Sequence, residues 1–279
     1  ILSETNIKTI EFLKDTTGVL VKSIKPNFKT TFKNATLTTN SWGMRDQEYK
    51  LKKDTNTFRF ALLGGSYEMG AGVNNNETFE SITESLLNKH FTQNVEILNF
   101  AVGGYHLVEN VFNIDKAISF NPDAIIYTAH SNEFSRMNSR LIELLSKNID
   151  INDPFILSIK KKSGIKSNMC MLEKQNRLKP FTNEIMNWGY KSISNKCKLN
   201  NIVPIWVYIP ALGDATDNEY KKTLDLAKKH NFITIEIKDP YKNKDINDLK
   251  VAPWDFHLNK KGHEIIANNL YKKLTSHQE

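Results

Sequence analysis

The sequence predicts an α/β protein in which a five-stranded parallel sheet lies between two layers of helices, a three-layer α/β/α arrangement. Short apolar segments alternate with helical segments five times along the chain. Most of these apolar segments have no polar face, which is typical of parallel strands covered on both sides. Polar or glycine-rich turns follow three of them, at the edge where parallel sheets of this kind bind ligands.

The predicted elements follow from hydrophobic periodicity. The strands share short length and apolar character, and they are predicted at residues 59–63, 95–102, 124–128, 201–209 and 232–237. Helical spacing of apolar residues predicts helices at 77–87, 108–120, 183–199 and 219–230, with a final helix after Gly262. In the first helix, Phe79, Ile82 and Leu86 lie on one face.

The remaining segments define the predicted domain organisation. Residues 1–57 are expected to wrap a main domain of residues 58–279. Apolar positions in residues 1–14 have loose helical spacing, and residues 15–57 are polar with short alternating stretches. Residues 135–200 are predicted to be a basic, helical insertion in the main domain.

The charge of the chain is unevenly distributed. Its net charge is +7, and residues 159–200 hold ten basic side chains against two acidic ones. Such a surface attracts anions, although a solvated face is the favoured interpretation. The functional alternative is an anionic polysaccharide bound through Lys160, Lys161 and Lys162. No nucleic-acid motif accompanies the patch, so no nucleic-acid partner is expected.

Compartment and redox state are left open by the sequence. No apolar run reaches the roughly 18 residues that a membrane helix needs. The chain begins at Ile1 rather than Met, so we expect that an upstream segment was removed. A signal or anchor there would place the protein outside the cell or on a membrane, and otherwise it is cytoplasmic. Cys170 and Cys197 permit a disulfide in an exporting compartment, but two ordinary thiols are favoured.

The turn after the first predicted strand presents a serine. Residues 60–63 form an apolar run, and Gly64 and Gly65 follow it directly before Ser66. The glycines allow a tight turn and close approach of a substrate, and the N–H of Ser66 near a helix N-terminus would stabilise an anion. The alternative is Ser66 as a helix N-cap. A P-loop would need a lysine here, and a dinucleotide site would need three glycines at fixed spacing.

Two further turns supply candidate hydrogen-bond donors. Gly103 and Gly104 follow the second strand, either as turn residues or with the N–H of Gly104 as an oxyanion donor. Asn132 follows the third strand, either as an Asx turn or cap or as an amide donor to a developing negative oxygen. His130 is a competing base or, as is favoured, a packing or hydrogen-bonding residue.

An acid and a histidine lie two residues apart near the C-terminus. Side chains at Asp255 and His257 on an extended segment lie on the same side, so the acid can hold the imidazole in one tautomer. The other ring nitrogen can then accept the proton of Ser66. A metal site would need further His, Asp or Glu ligands at suitable spacing. His263 lies six residues after His257 and no third ligand is evident, so no metal or cofactor is expected.

Together the four turns resemble the SGNH (GDSL-like) hydrolase family, whose four blocks contribute Ser, Gly, Asn and His in this order. The blocks here are residues 63–70, 99–105, 130–133 and 255–259. Residues 40–46 and 72–79 are also similar to one bacterial branch of that family, here with a Gly-Gly-Ser first block. The resemblance covers roughly residues 40–275, with 135–200 poorly matched.

The resemblance implies a flavodoxin-like SGNH fold and a serine esterase that removes an O-acyl group, with acetyl favoured, from a glycan or lipid. It implies Ser66 as the nucleophile, His257 as the base and Asp255 as its orienting acid. It also implies an oxyanion hole made by the N–H groups of Ser66 and Gly104 and the side chain of Asn132.

Three departures from the family pattern keep other functions open. The usual Asp before the serine is Gly65, and the usual glycine two before the asparagine is His130. The acid is two rather than three residues before the histidine. One alternative is an O-acetyltransferase acting on a polysaccharide, which would use the same residues. A second is a non-catalytic binding protein with the SGNH fold, which Gly65 and His130 favour.

Overall fold

The computed structural model describes residues 11–16, 18–147, 149, 151–213 and 219–276. Four short strands precede the central sheet: β1 (Leu13–Asp15), β2 (Lys22–Ile24), β3 (Lys29–Phe32) and β4 (Ala35–Thr38). The central sheet consists of β5 (Thr57–Leu63), β6 (Asn94–Asn99), β7 (Ala124–His130), β8 (Val203–Ile209) and β9 (Ile233–Glu236). Two strands near the C-terminus form a separate ribbon, β10 (Lys250–Ala252) and β11 (Asp255–Leu258).

The α-helices cover both faces of the sheet. The helices that alternate with its strands are α1 (Phe79–His90), α2 (Leu107–Ile118), α6 (Thr182–Leu199), α7 (Tyr220–Lys229) and α8 (Lys260–Thr275). Between β7 and α6 lie α3 (Glu133–Ser146), α4 (Pro154–Ser163) and α5 (Met171–Leu178). The described residues of the predicted insertion are therefore helical, without a strand.

The order of the central strands confirms the predicted fold class. The five strands are parallel and lie in the order β6-β5-β7-β8-β9. The chain leaves β5 toward one edge of the sheet and leaves β7 toward the other. In such doubly wound sheets the carboxyl ends of these two strands border the crevice where ligands bind. Ser66 follows β5 and Asn132 follows β7, so both lie at this crevice.

Alternate residues of the central strands pack into two separate apolar cores. Ala61 and Leu63 of β5 pack on the side of α2 and α6. Phe60 and Leu62 pack on the side of α1 and α8. This division follows from the period of two in a strand, and it explains why the strand sequences have no polar face.

Several element boundaries differ from the prediction for local reasons. The second strand ends at Asn99, and residues 100–102 leave the sheet. The fourth strand begins at Val203, because Asn201 has a left-handed backbone (φ 55°) after the end of α6. The first helix begins at Phe79, where the hydroxyl of Thr78 caps the N–H of Ser81. The last helix begins at Lys260, ahead of Gly262.

The N-terminal segment packs against the crevice end of the main domain. β1 pairs with β2 and β3 with β4, so the helical spacing noted for residues 1–14 is wrong at Leu13, which begins β1. Residues 1–10 of that predicted helix lie outside the described residues. Arg45, which is 2% exposed, donates to the carbonyls of Met69, Gly70 and Val73. Residues on both sides of the predicted boundary at 57 thus share one buried polar contact.

The basic segment is partly neutralised within the fold. Lys162 lies 3.5 Å from Glu184, and Arg177 lies 3.2 Å from Glu173. Lys174 is buried and donates to the carbonyl of Ser167 at 2.9 Å. Cys170 is exposed and Cys197 is buried, and both are free thiols. Among the residues described, no helix is both long enough and apolar enough to cross a bilayer.

Candidate active site

Ser66, His257 and Asp255 form one chain of hydrogen bonds at the crevice. Ser66 Oγ lies 2.8 Å from His257 Nε2, although the two residues are 191 positions apart in sequence. His257 Nδ1 lies 2.5 Å from Asp255 Oδ1, which also accepts the backbone N–H of His257 at 3.1 Å. Nδ1 therefore carries the proton, and Nε2 faces the serine hydroxyl as an acceptor. The ribbon of β10 and β11 holds the acid and the histidine on the same side.

A lysine that the sequence analysis did not single out completes this chain. Lys33 Nζ lies 2.5 Å from Asp255 Oδ2 and 3.0 Å from His257 Nδ1. Because Nδ1 donates its proton to Asp255, the hydrogen bond of Lys33 goes to the carboxylate. Lys33 is at the turn between β3 and β4, where Lys33 and Asn34 both have positive φ. The N-terminal segment thus contributes a cation to the candidate site.

The surroundings shift the pKa values of both members of the acid–histidine pair. Burial by itself would raise the pKa of Asp255. The hydrogen bonds from Lys33 and His257 outweigh burial and lower this pKa to about 2. Burial lowers the pKa of His257, and the charge of Lys33 adds to this effect against the opposing pull of Asp255. The carboxylate is therefore ionised and the imidazole neutral near pH 7, as a general base requires.

The two glycines before Ser66 are closely approached by other groups, Gly64 by a buried carboxylate and Gly65 by a backbone carbonyl. A Cβ at Gly64 would lie 2.3 Å from the side chain of Glu68, and one at Gly65 would lie 2.8 Å from the carbonyl oxygen of Tyr105. Glu68 is fully buried and accepts the N–H of Gly65 at 2.7 Å. These contacts explain why small residues occupy positions 64 and 65.

Glu68 also binds His130, so the two departures from the family pattern meet in one network. Glu68 Oε1 lies 2.8 Å from His130 Nε2, and His130 Nδ1 lies 2.9 Å from the carbonyl oxygen of Ile209. Burial raises the pKa of Glu68 and lowers that of His130, but their mutual attraction is stronger and reverses both shifts. The pair is therefore ionic. Both ring nitrogens of His130 are engaged, so it is a hydrogen-bonding residue of the site's floor.

Gly104 and Asn132 occupy different surroundings. Gly104 lines the same cavity as Ser66 and has φ of +87°, a backbone conformation that favours glycine. Asn132 is exposed, begins α3 with a left-handed backbone (φ 61°), and is not among the described residues that line the two cavities around Ser66. The geometry thus brings Gly104 into the same cavity as the serine, whereas Asn132 is exposed outside the described linings of both cavities.

Two cavities meet at Ser66 and Arg136. The smaller one, which we call the inner chamber, encloses ≈ 100 Å³ and extends from Ser66 past Gly104 to Asn110 and His130. The larger one, the outer cleft, encloses ≈ 500 Å³ and borders Asp255 and His257. Arg136 is exposed and lines both. A molecule bound at Ser66 therefore has two separate spaces available beside the serine.

Several residues of this site carry no recognisable sequence signal. Lys33 lies in a polar hairpin, and Glu68 and Arg136 are single charged residues on a turn and a helix. Their proximity to Ser66 arises from the packing of distant segments. Among the described residues, no group of three His, Cys, Asp or Glu side chains is arranged to hold a metal ion.

Solved structures share this fold at low sequence identity. Neither a protein-family model nor a curated protein matches the sequence. A psychrotrophic esterase, EstA, from Pseudoalteromonas sp. aligns with 78% of this chain and 97% of its own, with 11% identity and a TM-score of 0.50.

Two other solved structures match to a similar degree. An α/β hydrolase from the metagenome of Lake Arreo, Spain, covers 80% of this chain and 97% of its own, with 11% identity and a TM-score of 0.51. A protein named TesA aligns with 78% of this chain and 98% of its own, with 8% identity and a TM-score of 0.50. Together with the strand order of the central sheet, these matches show that the chain shares a three-layer α/β/α fold with these proteins.

Proposed function

We propose that the protein is a serine esterase of the SGNH type that hydrolyses an O-acyl ester. The observation that carries this proposal is the continuous chain from Ser66 Oγ through His257 to Asp255, at 2.8 Å and 2.5 Å. A serine paired with a neutral histidine, which is itself oriented by an ionised acid, is the arrangement that activates a hydroxyl for attack on a carbonyl.

The proposed reaction has two acyl-transfer steps. Ser66 Oγ attacks the ester carbonyl while His257 Nε2 accepts its proton. His257 then returns this proton to the departing alcohol, which leaves an acyl ester on Ser66. Water then attacks that ester while His257 accepts a proton from the water. His257 returns this proton to Ser66 Oγ as the bond from Oγ to the acyl carbon breaks and the acid product leaves. Asp255 stabilises the imidazolium in both steps.

The oxyanion is held, in this proposal, by the N–H groups of Ser66 and Gly104 and by the side chain of Asn132. The shared cavity of Ser66 and Gly104 supports the first two donors. Asn132, which is exposed, would have to turn toward Ser66 when substrate binds. Loss of one such donor typically lowers kcat by about 10²–10³.

The two cavities suggest which part of the ester lies where. The departing alcohol must receive its proton from His257, and the outer cleft borders His257. The alcohol therefore occupies the outer cleft, and the acyl group occupies the inner chamber. The larger, open cleft suits a bulky alcohol such as a glycan or lipid, and the small chamber suits a short acyl group such as acetyl.

Binding of an anionic polysaccharide through Lys160, Lys161 and Lys162 receives no support from these cavities. None of the three lines either cavity, and all three lie in the last turn of α4, where cations stabilise a helix end. Transfer of the acyl group to a sugar hydroxyl instead of water would use the same residues. Free acetate as the product, in the presence of an acceptor glycan, identifies a hydrolase.

Labelling with a fluorophosphonate and turnover of phenyl acetate test the proposal together. The wild-type protein should be labelled at Ser66 and should hydrolyse the ester. Ser66→Ala should abolish labelling, and both Ser66→Ala and His257→Ala should lower kcat by a factor on the order of 10⁶. Ser135→Ala, at an exposed serine of α3, is the matched control and should behave as wild type. Equal labelling of the Ser66→Ala and wild-type proteins would refute the proposal, and a wild type without labelling or turnover would favour a binding protein.

A further inference from the structure

Arg136 lies where the two cavities beside the serine meet. It is exposed, belongs to the first turn of α3, and lines the inner chamber and the outer cleft together with Ser66. Burial lowers the pKa of His106, which lines the chamber, and of His257, which lines the cleft, and the charge of Arg136 adds to both effects. The guanidinium therefore acts on both spaces.

The guanidinium of Arg136 is not used to neutralise a neighbouring acid. Two carboxyl groups beside its helical turn are engaged with other donors. Glu133 accepts two tyrosine hydroxyls, and Glu219 accepts the backbone N–H of Phe134 at 2.9 Å. Within the described part of the chain, the Arg136 side chain has neither an ion pair nor a hydrogen bond. Its N–H donors are therefore available to a bound molecule.

The outer cleft carries an unbalanced positive charge because of this arginine. Among the described residues of its lining, Asp255 is the one carboxylate. Both of its oxygens are already engaged, one by His257 and the other by Lys33, whose Nζ lies 2.5 Å away. Arg136 is then the charge that remains without a counterpart in the lining. A cleft of this kind favours a ligand of opposite charge.

The inner chamber is less suited to an anion than the outer cleft. Its lining includes the buried carboxyl groups of Glu68 and Glu133, which an anion there would approach. It also encloses only ≈ 100 Å³, against ≈ 500 Å³ for the outer cleft. Because the proposed reaction places the departing alcohol in the outer cleft, an anion bound by Arg136 would belong to the alcohol.

We propose that Arg136 binds an anionic group, a carboxylate or a phosphate, on the alcohol part of the ester, so that the substrate is an O-acylated acidic alcohol. The planar fork of a guanidinium matches the geometry of both anions. The inference rests on the proposed esterase function and deepens it by naming the class of alcohol. It makes Arg136 a specificity-determining residue, which contacts the substrate but takes no part in proton transfer.

Acetate esters of substituted phenols test the inference. The anionic members are 3- and 4-acetoxybenzoate, and the matching acetoxybenzamides have nearly the same shape without a charge. After division of each kcat/KM by the rate of the same ester with imidazole, the wild type should prefer a carboxylate over its amide by at least about tenfold at low ionic strength. This preference should shrink in high salt. The corresponding trimethylammonium esters should react more slowly than the amides.

Phosphate analogues at the same two ring positions distinguish the two anions. The group that Arg136 binds best should give the higher normalised kcat/KM. A preference for either anion over the amide supports the inference, and the comparison decides which anion the natural alcohol carries.

Variants of Arg136 connect the preference to its guanidinium. Arg136→Gln should lower the ratio of carboxylate to amide to about one, and Arg136→Lys should retain part of the preference. Arg136→Glu should reverse the order, so that the trimethylammonium esters react faster than the carboxylates. Since His257 is the base for every ester, these ratios are insensitive to a change in its pKa.

The matched control removes a positive charge from the other end of α3. Lys147 directly follows the helix, pairs with Glu143 at 2.6 Å, and lines neither cavity. Lys147→Gln changes the net charge of the protein by the same amount as Arg136→Gln. It should leave the ratio of carboxylate to amide unchanged, because a distant exposed charge is screened by salt.

The possible outcomes are distinguishable. Equal normalised rates for the anions and the amides at both ring positions in the wild type would overturn the inference and leave the esterase proposal intact. An unchanged preference in Arg136→Gln would do the same. Failure of the wild type to hydrolyse any of these esters would refute the esterase proposal, and the inference with it.

Discussion

At the scale of single residues, the unusual feature of the candidate site is a lysine behind the acid–histidine pair. Asp255 gives one oxygen to His257 and the other to Lys33. Lys33 therefore fixes the second oxygen of the carboxylate, and its Nζ also lies 3.0 Å from His257 Nδ1. Its positive charge also disfavours the imidazolium, as does Arg136 from the crevice. The cation thus orients the acid and opposes charging of the base.

Replacement of Lys33 by methionine should move the acid limb of the pH–rate profile. Loss of the cation raises the pKa of His257, so the half-maximal point of kcat/KM should shift to higher pH. The kcat at the optimum should remain within about tenfold of wild type, because Ser66, His257 and Asp255 are all retained. Initial rates of phenyl acetate hydrolysis across pH 4–9 measure both quantities.

Two further variants distinguish this positioning role from a general effect of surface charge. The Lys33→Arg variant should have the same acid limb of the pH–rate profile as the wild type, because a guanidinium can pair with the same carboxylate oxygen. Lys29→Met removes an exposed lysine from the same hairpin and should have no effect. A Lys33→Met profile that coincides with the wild type would contradict the role proposed for Lys33.

At the scale of elements, the turn after β5 is shaped by the buried carboxylate beneath it. Gly64 lies where a side chain would collide with Glu68, and Glu68 in turn holds the N–H of Gly65 and the imidazole of His130. The turn, β7 and the end of β8 are therefore connected by one ionic network under the serine. The glycine directly before Ser66 has a different neighbour, because a Cβ at Gly65 would lie 2.8 Å from the carbonyl oxygen of Tyr105.

Substitution of Gly64 by alanine should disrupt this turn. The added Cβ would displace Glu68, and overpacking of this kind costs about 1–3 kcal/mol of the free energy of unfolding. Urea denaturation measures this cost. Because Glu68→Ala removes the colliding side chain, the double variant should be less destabilised than the sum of the two single variants. Additive effects would show that Gly64 and Glu68 do not interact.

At the scale of the whole molecule, a cluster of buried carboxyl groups joins the N-terminal segment to the sheet. Asp46 accepts the backbone N–H of Asn99 at 2.8 Å, and Glu84 accepts the hydroxyl of Tyr49 at 3.0 Å. Burial raises the pKa of Glu80 to about 8 and that of Glu84 to about 7, and it raises the pKa of Asp46 as well. These groups therefore bind protons more tightly in the folded chain than in the unfolded one.

Stability should consequently fall as the pH rises through the neutral range. The raised pKa values stabilise the folded state fully below the ordinary pKa of a carboxyl group. This stabilisation is lost as the pH rises past about 7 to 8. The unfolding temperature should decrease between pH 6 and pH 9 by at least roughly 2–4 °C, the change that 1 kcal/mol makes in a chain of this size. Thermal melts across this range measure it.

Removal of one ionisable group from the cluster provides the matching test. In the Glu80→Gln variant the unfolding temperature should decrease less between pH 6 and pH 9, because glutamine keeps hydrogen-bonding capacity without a charge. Glu173→Gln, at an exposed position of α5, should leave the decline as it is. A wild-type protein that becomes more stable from pH 6 to pH 9 would contradict the expected role of the buried carboxyls.

The sequence alone determined the fold class and the candidate catalytic residues. Apolar segments of strand length that alternate with helical segments can bury both faces of a parallel sheet in few ways. The order of Ser66, Asp255 and His257 predicted their contact only together with the other two turns and the resemblance of all four to the SGNH family. Both are local patterns, because strand period, turn chemistry and the acid–histidine spacing involve neighbouring residues.

Only the tertiary structure decided which other residues surround the serine. Lys33 reaches Asp255 because a polar hairpin docks at the crevice, and a lysine at a hairpin turn has no signal that specifies this contact. Glu68 meets His130 because β5 and β7 are adjacent strands. Asn110 lines the inner chamber because α2 packs beside the crevice. Such contacts depend on how distant elements pack in space, and no periodicity or spacing within the sequence encodes them.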